Sequence, residues 1–251
     1  MARDTRELAG AWQQYQRHAR IPPSPDLAPY VEYFWTAEWH YETPYRQLIV
    51  PLPNVHLTFR DGGAILNGVR TRHHTKVLSG DGQVTGVAFR QARFRPFLNA
   101  PVATITDREL DAAEFLPTAR RVTPTVSAVE DYLRAHLAVS SEPLREGAPI
   151  AEAAMAAITG DARVTTVAAL ADRFSANIRT LQRAFAEHVG VPPKWVIRRY
   201  RLHEVTERLA QGQEPRWSAL AFELGYADQA HLIRDFKSIF GEPPEYYRQR
   251  Y

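Results

Sequence analysis

Near the end of this 251-residue chain, arginine side chains recur at a fixed spacing with a packing frame around them. The segment LQRAFAEHVGVPPKW at 181–195 returns as LIRDFKSIFGEPPEY at 232–246, 51 residues later. Leu181/Leu232, Arg183/Arg234, Phe185/Phe236, Gly190/Gly241, Pro192/Pro243 and Pro193/Pro244 are identical, and Trp195/Tyr246 keeps an aromatic. A guanidinium offers a rigid fork of donors to a guanine edge or to phosphate oxygens, and a glutamine amide matches adenine. A small device carrying such groups twice is suited to DNA.

The elements that must position these groups can be read from spacing. Val167, Leu170, Ala171 and Phe174 fall at i, i+3, i+4 and i+7, the apolar face of a helix of about two turns. Asn177 stands where an N-cap is wanted. The next helix turns Ile178, Leu181, Ala184 and Phe185 inward and Arg179, Gln182 and Arg183 outward, and Gly190 ends it in a left-handed conformation. In the second copy Leu220, Ala221 and Leu224 make the first helix, Gly225 turns the chain, Asp228 caps, and Leu232, Phe236 and Ile239 form the buried stripe. Each copy is a helix-turn-helix. The first turn, Phe174-Ser175-Ala176-Asn177, is one residue shorter and lacks the glycine.

Residues 164–251 resemble the tandem helix-turn-helix domain of AraC/XylS-type transcription regulators. RTLQRAF at 179–185, LAFELGY at 220–226 and HLIRDFKSIFGEPPEYYR at 231–248 carry the resemblance, which covers about a third of the chain. It implies that Arg179, Gln182 and Arg183 read base edges, and that Gln229, Ala230, Ile233 and Arg234 occupy the corresponding positions of the second unit. Ala230 and Ile233 offer only apolar contact, for instance to a thymine methyl. Residues 194–209 (KWVIRRYRLHEVTERL) then form a rigid spacer holding two recognition helices about one DNA turn, roughly 34 Å, apart. Arg198, Arg199 and Arg201 on it are either phosphate contacts or a solvated face.

Charge distribution agrees. Residues 163–251 hold 14 Lys+Arg against 10 Asp+Glu, whereas the remainder holds 17 against 18. The positive excess lies where phosphates would be neutralised. With no cysteine, a disulfide framework and Cys-ligated zinc are excluded. So is the methyl-accepting chemistry of alkylation-repair proteins that carry a similar module. No apolar run is long enough to span a membrane and the N-terminus lacks a secretory h-region, so a cytoplasmic protein without membrane partners is expected.

The fold class read from this is α+β with two domains. Residues 1–105 are expected to form a β-rich sensory domain, 106–160 a helical dimerisation or linker segment, and 161–251 the all-α DNA-binding domain with its long linker helix. Short apolar segments at 30–39, 47–51, 55–59, 64–69, 76–78 and 84–89, separated by Pro53-Asn54, Asp61-Gly62-Gly63 and Gly80-Asp81-Gly82, suggest a small barrel or sandwich. The stretch resembles the sensory domain of one branch of the same family, through Gly86-Val87-Ala88-Phe89-Arg90 and Pro96-Phe97-Leu98, and loosely through the segment from Pro53 to Phe59; a cupin-like β-barrel with flanking helices is the expectation. Helical periodicity at 109–115, 127–137 and 150–158 follows, with a connector at 140–149.

Catalysis finds no support. His40, His56, His73 and His74 lack the spacing of a metal site, since His73 and His74 are adjacent and would point to opposite faces of a strand. Nucleophile-elbow, P-loop and dinucleotide motifs are missing, so no enzyme, metal or cofactor is expected. The aromatic run from Tyr30 to Tyr41 is either core or the lining of a ligand pocket, with Tyr33, Trp35, Trp39, His56 and Phe89 as the lining. Two functions are consistent with these residues. One is a DNA-binding transcription regulator, with RNA polymerase as partner if it is an activator, controlled through a small-molecule effector or a homodimer. The other is an enzymatic or ligand-binding barrel whose C-terminal helices serve protein contacts.

Overall fold

The computed structural model describes residues 16–139, 146–161, 163–211 and 215–246. Residues 140–145 of the expected connector and Arg248 lie outside them. The N-terminal half is a six-stranded antiparallel sheet of β1 (Gln16–Ile21), β2 (Val31–Ile49), β3 (His56–Arg60), β4 (Gly63–Asn67), β5 (His74–Phe89) and β6 (Glu109–Asp111). Their order is β1-β2-β5-β3-β4-β6. Helices follow: α1 (Val126–Val139), α2 (Ala148–Gly160), α3 (Val167–Arg173), α4 (Ile178–His188), α5 (Pro193–Ala210), α6 (Trp217–Glu223) and α7 (Gln229–Phe240).

Side-chain alternation divides the sheet into two unlike faces. Phe34, Leu57, Phe59, Leu66, Val87 and Phe89 point to one face and are buried. Helix α1 belongs to the same core through Val129 and Leu133, with Tyr132 edge-on to Phe59 at 6.2 Å. Each fully buried side chain of this kind contributes about 1.5–3 kcal/mol, so this face alone secures the docking of α1. The opposite face carries Tyr33, Trp35, Trp39, His56, Thr58 and Asn67.

The sheet curls toward that second face. By register Glu109 pairs with Asn67, Asn67 with His56, and His56 with Ala88, so Glu109 stands level with Ala88 on β5. Lys76 precedes Ala88 by twelve residues on β5. A straight strand would place it about 40 Å away, at about 3.3 Å per residue. Its Nζ lies 3.9 Å from Glu109 Oε2. The β2–β5 ribbon therefore bends back over the sheet. The bend falls at the irregularity between Tyr41 and Tyr45, opposite Gly80 with φ of +58°. No hydrogen-bonded ladder joins β1 to β6 among the described residues. The result is a rolled, open sheet compatible with a cupin-like architecture.

Several expected elements differ. The segments at 76–78 and 84–89 are one strand, because Gly80, Asp81 and Gly82 pair with Tyr41, His40 and Trp39 and so bend the strand without ending it. The helix expected at 109–115 is β6 followed by a 3-10 turn, Ala112–Glu114. Pairing of Leu110 and Asp111 with β4 outweighs a seven-residue periodicity, and the Asp111 carboxylate accepts from Ala113 N to end the strand. The sheet thus runs past residue 105. Packing also ignores the expected boundary at 161: Leu170, Leu181 and Phe185 share one core with Leu57, Phe89 and Val102.

Cross-strand partners explain two glycines. Gly86 pairs with Trp35 and Gly82 with Trp39, and a Cβ on either would fall 2.1 Å from an indole carbon. The rings lie over bare backbone. Gly86→Val is expected to cost about 1–3 kcal/mol, because a rigid indole must leave its place. Gly63→Val, where nothing lies within 4 Å, should cost far less. Urea unfolding followed by tryptophan emission checks both, and equal midpoints for the two variants would contradict the packing described.

Candidate nucleic-acid interface

Each recognition helix begins with a side-chain cap. Asn177 Oδ1 accepts from Thr180 N at 2.7 Å at the start of α4, and Asp228 Oδ1 accepts from His231 N at 2.7 Å at the start of α7. Thr166 does the same for α3, accepting from Ala169 N at 3.0 Å. Such caps satisfy backbone donors that a helix end leaves open.

The two turns share one backbone device despite their unequal lengths. Ala176 N donates to Ala171 O at 3.0 Å and Tyr226 N donates to Ala221 O at 2.8 Å, the long hydrogen bond of a Schellman motif in both cases. That motif needs a left-handed residue. Gly225 supplies it at φ +73° in the second unit, and Ser175 supplies it at φ +47° in the first. The glycine missing from the first turn is thus replaced by a serine in the same conformation, at an energetic cost that a glycine avoids.

The inward faces are closed. Leu181, Ala184, Phe185 and His188 of α4 are buried, as are Leu232, Phe236, Ile239 and Phe240 of α7. The outward faces stay open: Arg179, Gln182, Arg183, Gln229, Ala230 and Arg234 are exposed, and Ile233 is half-buried. Arg183 lies 3.6 Å from the exposed Glu146, a solvent-screened pair that leaves the guanidinium available. Ile178 departs from its expected inward place. It is the first residue of α4 and is 44% exposed.

Arg198, Arg199 and Arg201, three of the four arginines of the linker helix, have partners within the protein. Arg199 is 1% exposed; its Nε donates to Pro51 O at 2.7 Å and its guanidinium lies 5.0 Å from the centre of the Phe240 ring. Arg198 donates to Ser238 Oγ at 2.6 Å and pairs with Asp235 of α7. Arg201 is half-buried with its guanidinium 5.9 Å from the Tyr226 ring. In this arrangement Arg198, Arg199 and Arg201 join the linker helix to the second unit and to the N-terminal half. Burial, helped by the Arg199 charge, holds His203 at about 4, so it is neutral beside them at pH 7.

Contacts from the N-terminal half reach both units. Arg95 pairs with Glu187 of α4 at 2.6 Å, and Thr106 donates to Gly190 O at 2.5 Å. Leu48 and His73 pack against Gly241 at the end of α7, and Val50 enters the core formed by Leu202, Phe236 and Phe240. Trp195 donates to Thr71 O at 3.1 Å, and Gln91 donates to Tyr200 on the linker helix at 2.7 Å. Sequence spacing gave no signal for these pairs, whose partners lie 84 to 124 residues apart for Thr106, Arg95, Gln91 and Trp195.

Of the residues expected to line a ligand pocket, Tyr33, Trp35, Trp39 and His56 share the curled face, and His56 stands edge-on to Trp35 at 6.4 Å. Phe89 does not join them. Odd-numbered positions at this end of β5 point into the core, where Phe89 meets Phe94 at 4.7 Å. His73 and His74 also do not meet a third ligand; no metal-holding group of three occurs among the described residues.

Residues 170–250 match the model of a helix-turn-helix domain, and residues 19–111 match that of a domain of unknown function (DUF6597). The HTH-type transcriptional activator RhaS of Pectobacterium carotovorum is 35% identical over 81 residues, 32% of this chain and 29% of that protein. A putative AraC-like transcription regulator of Streptomyces lividans is 30% identical over 152 residues, 58% of this chain and 50% of that protein. The chain thus matches half or less of the length of these curated relatives. Among solved structures, ToxT from Vibrio cholerae superposes with a TM-score of 0.41 at 11% identity, over 94% of this chain and 99% of that one.

Gly225 provides a direct test of the second turn. A Cβ there would meet nothing closer than Arg201 Nη1 at 3.5 Å, so the cost of a side chain is conformational. Gly225→Val is expected to destabilise the protein by about 1–2 kcal/mol, and Gly225→Asn by less, since Asn tolerates the left-handed region. Thermal melts would show the ranking. A valine variant that melts like the parent would remove the left-handed turn from the account.

Proposed function

The C-terminal third of this chain is an AraC/XylS-type tandem helix-turn-helix domain, and on that premise we propose that the protein is a sequence-specific transcription regulator reading two adjacent major grooves. One observation carries the reading most directly. Two capped helices, α4 and α7, which precede and follow the single 18-residue helix α5 in the chain, present open Arg and Gln side chains. At about 1.5 Å per residue that helix is about 27 Å long, the scale needed to serve grooves one turn apart.

In this reading Arg179, Gln182 and Arg183 make the hydrogen-bonded base contacts of the first half-site. Gln229 and Arg234 do so in the second, where Ala230 and Ile233 add apolar contact. The N-terminal half controls the reader through an effector, a dimer contact or both. RNA polymerase is a partner if the regulator activates. The cytoplasm is its place, in keeping with the finding that no described helix is long and apolar enough to cross a membrane. Catalysis plays no part.

Selection of bound sequences from random duplex DNA, followed by titration at several salt concentrations, tests this. The expected motif has two halves about 10 base pairs apart, and log affinity falls linearly with log salt. Arg183→Ala and Arg234→Ala should each lose about 1–3 kcal/mol with relaxed preference at one position. Equal losses on selected and random DNA would reduce both arginines to phosphate contacts. An absence of salt-dependent binding would favour the alternative, a ligand-binding domain with helices that serve protein contacts.

A further inference from the structure

The curled face of the sheet collects charge that DNA reading leaves unused. Its floor is aromatic: Trp35 and Trp39 lie over Gly86 and Gly82, with Thr58 and Asn67 beside them. Its rim is cationic. The Arg60 guanidinium stands 5.3 Å from the centre of the Trp39 ring. The bend of the β2–β5 ribbon brings Lys76 to the same region, where Lys76 and Arg70 approach the Glu109 carboxylate at 3.9 and 3.5 Å. Lys76 and Arg70 thus share one carboxylate, and the Arg60 charge acts on Lys76 besides.

The electrostatics show the imbalance. Burial, followed by the repulsion of Arg60 and Arg70 against the attraction of Glu109, leaves the Lys76 ammonium below its ordinary pKa. Burial and the charges of Arg70 and Lys76 hold His74 at about 4, so it adds no charge at pH 7. A partly desolvated cluster of like charges favours any anion that can enter. Half-buried indoles at its foot favour a flat apolar body.

We propose that this concave face binds a small organic anion with a flat apolar body, the ring seated against Trp35 and Trp39 and the carboxylate or sulfonate held by Lys76 and Arg60. Resting on the reading of the N-terminal half as the controlling domain, the site is nevertheless tested without DNA. The full-length protein is titrated with anilinonaphthalene sulfonate and, separately, with its uncharged relative phenylnaphthylamine. The double variant Lys76→Met with Arg60→Met should weaken the sulfonate by about tenfold or more, as loss of a charge-assisted bond does, and leave the neutral probe unchanged. Trp39→Leu should weaken both. Lys76→Arg keeps the charge and should keep the affinity. On the unmodified protein, naphthoate should displace the sulfonate and naphthamide should not.

Equal sulfonate binding by the parent and the double variant would overturn the site, as would displacement by naphthamide as readily as by naphthoate. The competition needs no variant to fold. Failure to bind DNA would count against the regulator reading alone, because the probe titration is independent of it.

Discussion

The burial of Arg199 is the constraint on which the arrangement of this protein depends. A guanidinium removed from water costs several kcal/mol unless its surroundings replace the lost hydration. Around Arg199, on the linker helix, they come from two directions: Pro51 O in the segment after β2, and the Phe240 ring at the end of the second recognition helix. None of these can move alone without leaving a buried cation poorly solvated. The linker helix, the second unit and the rolled sheet are held as one body. The first unit joins that body through Arg95–Glu187 and through Gly190, where the backbone runs against Val102.

A rigid reader changes what the N-terminal half must do. Free helix-turn-helix units would search independently for two grooves, and ordering them on DNA would cost entropy. Units fixed in advance avoid that cost but bind well only when their fixed relation matches the duplex. Control then lies in small displacements of one unit against the other. β2 is placed to transmit them, because it carries Trp35 and Trp39 at one end and Leu48 at the other, with Val50 directly after it. Leu48 and Val50 pack on the second unit. A ligand on the curled face would act on DNA only by favouring one position of that strand over another.

Much of the reader was legible in the sequence because its determinants are local. Asn177, Gly225 and Asp228 mark a helix start or a left-handed turn by their own chemistry, and the apolar spacing of α4 and α7 needs no distant partner. The linker arginines were not legible for the opposite reason. A run of arginines on a helix reads as a solvated face until Pro51, 148 residues away, and Ser238, 40 residues away, are brought to it. The place of Phe89 was not legible either, since an aromatic side chain on a strand does not say by itself which side of the sheet is core. β1 gave no signal either. Its sequence QRHARI is mostly polar on both faces, as an edge strand can be. The bend at Gly80 looked like a turn because glycine serves both, and only the continuous pairing with Tyr41 separates them.

Rigidity between the two recognition helices can be measured without altering any native thiol, because the chain has no cysteine. Spin labels at Gln182→Cys and Gln229→Cys, on exposed positions of the two helices, report their separation by pulsed dipolar spectroscopy in the full-length protein. One narrow distribution is expected in the absence of DNA, near the length of one duplex turn, about 34 Å. Arg199→Met should broaden that distribution. A broad or multimodal separation in the parent protein, or a narrow one indifferent to Arg199, would show that the two units are not held as one body by that arginine.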